Sequence, residues 1–224
     1  MIRFHLVTLF KEACEPYLTA SILGRAREKK LISVDYQNPR DYVENKWGKV
    51  DERPYGGGPG MVMQAMPVVK ATVKAIGPTS RKATKGKSRK VVIWFQPGAK
   101  QFDNKEADKL AKYDDIVFVC GRYEGIDERA LTILKKLAPV KIYAVGEAVY
   151  TGGEVPAMAM IDAISRRIPG VLGKFDSVEE NRVAARAVYT RPETISYKGK
   201  KLRVPKVLQT GHHANIDAWK SKKQ

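Results

Sequence analysis

The sequence predicts an α/β protein: a mostly parallel sheet with helices on both faces, followed by a small second domain. Two observations carry this. From residue 91 onward, near-continuous apolar runs alternate with amphipathic segments, the pattern of strands buried on both faces and joined by covering helices. After Arg167 the pattern stops at Ile168-Pro169-Gly170, and the remainder is short, basic and irregular. We therefore divide the chain into a large α/β domain at 1–167, a linker at 168–180 and a small basic domain at 181–224.

In order, residues 2–8 (IRFHLVT) read as a strand, 12–29 as one helix and 31–35 (LISVD) as a second strand. Residues 38–60 form a long loop with glycines at 56, 57, 58 and 60. That loop is neither a Walker loop, which needs a following Lys-Ser/Thr pair, nor the dinucleotide fingerprint, since its third glycine falls early. It reads as backbone shaped for a partner. Residues 65–76 suit a helix, and six of the ten residues at 81–90 are Lys or Arg. Strand 91–95 breaks at Gln96-Pro97-Gly98. Asp103 with Glu106 makes a capping-box start for the next helix. Strand 116–120 breaks at Gly121 through Gly125, and helix 125–137 follows. A strand ending at Tyr143–Val145 leads into Gly146 through Gly153, and then a helix running to Arg167 with Pro156 in its first turn. In the last domain, 190–205 reads as irregular and strand-like, and 215–222 as a short helix.

In parallel sheets, ligands sit beyond the carboxyl ends of the strands. The breaks at 96–98, 121–125 and 146–153 each follow a strand, so they are expected on one sheet edge. There they would line a pocket with bare backbone, suited to a flat heterocycle bearing a sugar. On local grounds the 143–167 stretch reads equally as an ordinary strand-to-helix turn.

The totals narrow the function. Forty-one Lys and Arg against 24 Asp and Glu give +17, which favours a polyanionic partner. Aromatics at 8% and scattered do not suggest a base-stacking platform. Two cysteines without a CxxC pair argue against a disulfide framework or a zinc site and suit a cytoplasmic protein; no run is long enough for a membrane span.

Several long segments resemble one family. RPYGGGPGMVM (53–63), CGRYEGIDER (120–129), TGGEVPAM with IDAISR and IPGVLG (151–173), FDSV (175–178), YTRP (189–192) and TGHHANIDAW (210–219) occur in the order found in bacterial tRNA (guanine-37-N1)-methyltransferases of the TrmD type, in the SPOUT superfamily. The resemblance implies a C-terminal trefoil knot in the catalytic domain and a homodimer with the active site at the subunit interface. It implies S-adenosylmethionine as methyl donor and tRNA, with no DNA expected, as substrate. Magnesium is a further candidate cofactor, without a metal ligand set being assigned. Carried over residue by residue, Asp176 is the general base and Arg166 the stabiliser of charge on guanine O6. Pro97, Gly121, Tyr123, Glu124, Val145, Gly146, Tyr150, Gly152, Gly153 and Pro156 hold the donor. Ser177, Arg191 and again Glu124 face the substrate. Without the resemblance, Asp176 reads as a helix cap and Arg166 as part of a solvated helix face. The other readings are a SPOUT methyltransferase acting on another RNA position and a non-catalytic RNA-binding protein. The loop AVGEAVY (144–150) departs from the family's usual SIGDYVL, and Gln96 replaces a serine.

Overall fold

The computed structural model describes residues 1–77, 88–172 and 187–221. The chain forms two compact units, Met1–Val171 and Leu172–Gln224. In the first unit, β1 (Ile2–Val7) leads into α1 (Lys11–Leu18) and α2 (Ser21–Glu28), then β2 (Ile32–Gln37). A 3-10 turn at Pro39–Tyr42 and the two-residue strands β3 (Asp51–Glu52) and β4 (Val62–Met63) precede α3 (Ala65–Ile76). Then come β5 (Lys90–Phe95), α4 (Asn104–Leu110), β6 (Asp115–Val119), α5 (Glu128–Leu137), β7 (Val140–Tyr143) and α6 (Glu154–Ser165).

The five long strands make one sheet in the order β2-β1-β6-β5-β7, with every pairing parallel. Successive side chains of a strand point to opposite faces. Phe4, Leu6, Ile93, Ile116 and Phe118 therefore pack on one face with α1, α2, α4 and α6. Val7, Val92, Trp94, Val117 and Val119 pack on the other with α3 and α5. The topology obeys one handedness. The connections that step leftward along this order, β1 to β2 and β5 to β6, run through the first face. Those that step rightward, β2 to β5 and β6 to β7, run through the second.

The structure corrects three local expectations. The helix expected over 12–29 is two helices. They break at Thr19–Ala20, where Ala20 is extended at the start of α2. Residues 38–60 are less featureless than expected, because β3 pairs antiparallel with β4. The capping box is half made: the Asp103 side chain accepts from the Glu106 N–H at 2.8 Å. The Glu106 carboxylate is instead taken by Lys100, Lys109 and the Tyr143 hydroxyl.

In the second unit, β8 (Thr194–Tyr197) and β9 (Lys200–Arg203) form a regular antiparallel hairpin where an irregular segment is expected. Lys198 and Gly199 take positive φ at its two-residue turn, the geometry that matches strand twist. A 3-10 turn at Lys206–Gln209 and α7 (His213–Ser221) follow. Residues 81–87 of the basic run, and the linker from 173 with Asp176 and Ser177, lie outside the described residues.

Candidate active site

A cleft of about 290 Å³ opens at the carboxyl ends of β5, β6 and β7. Its wall is made by the three expected breaks: Gln96 and Pro97, Gly121 through Gly125, and the segment from Ala144 to Pro156. The volume is at the low end of small-molecule sites, about 300–1,000 Å³.

The path of the chain explains the convergence. β7 is an edge strand, whereas Glu154 at the start of α6 lies at the end of β1, where the Thr8 hydroxyl donates to it at 2.6 Å. The segment between must cross the ends of β5 and β6. It passes so close that the Gly153 N–H donates to the Gly121 carbonyl at 2.9 Å. A Cβ on Gly153 would stand 2.6 Å from the Cys120 Cα, and one on Gly152 2.5 Å from the Arg122 Nε. Neither glycine has positive φ, so close approach is what requires them. Pro156 is the third residue of α6, within the first turn where its missing N–H costs nothing.

The 121–125 loop is held under backbone strain. Tyr123 has φ +58°, a conformation that costs a non-glycine residue about 1–2 kcal/mol. Two hydrogen bonds clamp the loop to the glycine-rich segment: Glu124 N–H to Met61 O and Met63 N–H to Gly125 O, both 2.9 Å. The Glu124 side chain lies over Gly60, leaving no room there for a Cβ. The long glycine loop thus ends at the cleft, a link that sequence reading did not make. Tyr55, preceding its glycines, is fully exposed.

Nine of the ten expected donor-holding residues line the cleft: Pro97, Gly121, Tyr123, Glu124, Val145, Tyr150, Gly152, Gly153 and Pro156. Gly146 does not; it makes a positive-φ bend at +75° beside the Tyr150 hydroxyl. That hydroxyl donates to the Val145 carbonyl at 2.9 Å and closes the divergent 144–150 loop on itself. Arg122, Val149 and Thr151, from the same expected breaks, also line the cleft, as do Phe95, Tyr143 and Ala144 at the strand ends, which lie outside those breaks. Tyr143 is positioned by its hydrogen bond to Glu106.

Arg166 is not brought to this cleft. It caps α6 at the end opposite Glu154, which at 1.5 Å per residue is about 18 Å along the axis. Arg191 is exposed in the second unit. Among the described residues, no group of three or more His, Cys, Asp or Glu is arranged to hold a metal ion, and no helix is long and apolar enough to cross a membrane.

Comparison with known proteins decides the family. The model of the tRNA (Guanine-1)-methyltransferase TrmD family matches residues 2–224. This chain belongs to that family. A tRNA (guanine-N(1)-)-methyltransferase of Campylobacter jejuni is 39% identical over 224 residues, covering 98% of this chain and 91% of the relative. Equivalent enzymes of Photobacterium profundum and Lachnoclostridium phytofermentans are 39% and 38% identical. They cover 97% and 98% of this chain, and 83% and 85% of their own lengths. The family membership makes the protein a tRNA (guanine-N1) methyltransferase. The cleft fits the family's donor, S-adenosylmethionine, in one specific respect: glycine backbone at 121, 125, 152 and 153 forms part of its wall, and at 152 and 153 there is no room for a Cβ.

Proposed function

We propose that this chain methylates N1 of guanosine at position 37 of tRNA, with S-adenosylmethionine held in the cleft described above. The observation that carries this is the convergence of three glycine-bearing loops at the carboxyl ends of adjacent parallel strands, in a family whose relatives are named for guanine-N1 methylation.

Guanine N1 carries a proton and must lose it before attacking a methyl. Asp176 is the general base that accepts it, a contribution worth about 10²–10⁴ in rate. Arg166 stabilises the negative charge that develops on O6. When bound, S-adenosylmethionine supplies the methyl on a sulfonium that departs neutral. Val145, Tyr150 and the glycines at 121, 152 and 153 orient it, and Glu124 and Ser177 face the base.

The site is shared between two copies in a homodimer. Two features favour this. The 18 Å run of α6 keeps Arg166 away from its own cleft, so a second copy is needed to bring the two together. On the outward side of α6, Val155 and Ala159 are apolar and exposed, beside the half-buried Met158. A helix apolar on nearly all sides is normally buried. A trefoil knot formed as 144–153 passes the end of β6 is in keeping with the tight Gly153–Cys120 crossing. The second unit, with Arg191 and the basic hairpin, binds the tRNA body, and the enzyme works in the cytoplasm. Magnesium dependence is tested by chelator titration of the assay.

The deciding experiment is methyl transfer from labelled S-adenosylmethionine to tRNA, with the product nucleoside identified by mass spectrometry. The expected product is 1-methylguanosine at position 37. A methyl on another residue would shift the target to a different RNA position, and no transfer by donor-binding protein would overturn the reading. Asp176→Ala should lower transfer at least about 100-fold while donor affinity stays near wild type.

A further inference from the structure

A polar cluster that none of the proposed roles uses lies behind the cleft, with only Arg122 reaching its lining. Glu154 is 2% exposed and does not line the cleft. One carboxylate oxygen accepts from the Thr8 hydroxyl at 2.6 Å, and that hydroxyl also accepts the Phe10 N–H at 3.0 Å. The other oxygen lies 3.0 Å from the Arg122 Nε. The Arg122 guanidinium rests on the Phe10 ring, 4.5 Å from its centroid. The alignment of that ion pair is poor: the Arg122 Nε and Glu154 Oε2 are close, yet neither completes a hydrogen bond.

These contacts join three pieces that are far apart in sequence: the end of β1, the 121–125 loop and the start of α6. Gly152 lies against both charged groups, since a Cβ there would stand 2.5 Å from the Arg122 Nε and 2.6 Å from the Glu154 Oε2. The carboxylate thus ties together, behind their Gly153–Gly121 backbone hydrogen bond, the two adjacent glycine loops of the cleft wall. A buried charge costs little only while its partners stay in place, so removing it releases both loops together.

We propose that Glu154 is the positioning residue of the donor cleft. Acting through Arg122 and Thr8, it sets the spacing between the 121–125 and 152–153 backbones against which S-adenosylmethionine lies. This rests on the cleft being the donor site. Glu154 touches no substrate and takes no proton.

The test compares variants of the full-length protein by calorimetric titration with S-adenosylmethionine, alongside the KM for tRNA. Glu154→Gln keeps the shape and removes the charge. The expected result is a loss of donor affinity of about tenfold or more, the scale of one charge-assisted hydrogen bond, with the tRNA KM unchanged. Asp115→Asn, at the opposite end of the sheet, lowers thermal stability but leaves donor affinity intact, which separates positioning from general destabilisation. Ala148→Trp fills the cleft. Should Ala148→Trp bind donor normally, the cleft assignment itself falls, and this inference with it. Should Ala148→Trp abolish binding while Glu154→Gln binds within about twofold of wild type, the positioning role is overturned and the cleft stands. If Glu154→Gln does not fold, Thr8→Val is measured in its place and judged by the same criteria, with Thr8→Ser expected to restore affinity.

Discussion

Single side chains here are governed by what surrounds them more than by their type. Cys14 and Cys120 are 0% and 1% exposed and free. Burial, reinforced by the Glu154 carboxylate, pushes the Cys14 thiol up to about 11 and raises the Cys120 thiol as well. Thiolate is the reactive form, so both should be inert to a disulfide reagent in the folded protein and react only at the rate of unfolding. Rapid labelling of the native enzyme would contradict this. Glu106 shows the opposite balance. Hydrogen bonds from Lys100, Lys109 and Tyr143 hold its carboxyl down at about 2 despite its burial. The sequence offers Glu106 as a helix cap; only the fold brings Tyr143 to it.

Among the elements, the α1–α2 break is the most informative. Residues 12–29 carry a continuous helical pattern, yet the chain turns at Thr19–Ala20, a turn tight enough that Gly24 packs directly on the preceding backbone. A Cβ on Gly24 would stand 2.1 Å from the Thr19 carbonyl oxygen. In an exposed helix Gly→Ala stabilises by about 1 kcal/mol. Here the sign should invert, with Gly24→Ala costing about 1–3 kcal/mol through overpacking, read from the denaturation midpoint. The cleft loops follow the same logic. The glycines at 121, 152 and 153 were visible as a pattern. What makes 152 and 153 necessary is the close crossing with Arg122 and Cys120, some thirty residues earlier in the chain.

For the molecule as a whole, two charge effects dominate. Asp115 lies where β1, β5 and β6 begin. Burial opposes its ionisation, but hydrogen bonds from Arg3, Ser88 and His5 override this and hold the carboxyl well below the usual range. With Glu106, it is a carboxylate more acidic folded than unfolded. Its contribution is present above the unfolded value and lost as pH falls through the folded one. Stability should therefore hold down to about pH 4.5 and fall progressively toward pH 2, by roughly 1–2 kcal/mol for Glu106 after screening at its exposed lysine partners. Denaturation midpoints across that range check it, and Glu106→Gln should flatten the dependence. The +17 charge predicts that tRNA affinity falls at least about tenfold between roughly 50 and 200 mM salt.

The sequence by itself determined the class of the fold, the five long strands and most helices of the first unit, and the three loops that line the cleft. Each of these rests on local periodicity, or on glycine and proline placed after an apolar run. It also carried the motifs by which the family is known. The tertiary structure decided what no local pattern encodes: the break at Thr19–Ala20, the clamp between the glycine-rich segment and the 121–125 loop, the distance separating Arg166 from its own cleft, and the Thr8–Glu154–Arg122 cluster. Thr8 and Glu154 are 146 residues apart in the chain. Contacts of that span exist only once a parallel sheet has aligned the carboxyl ends of its strands.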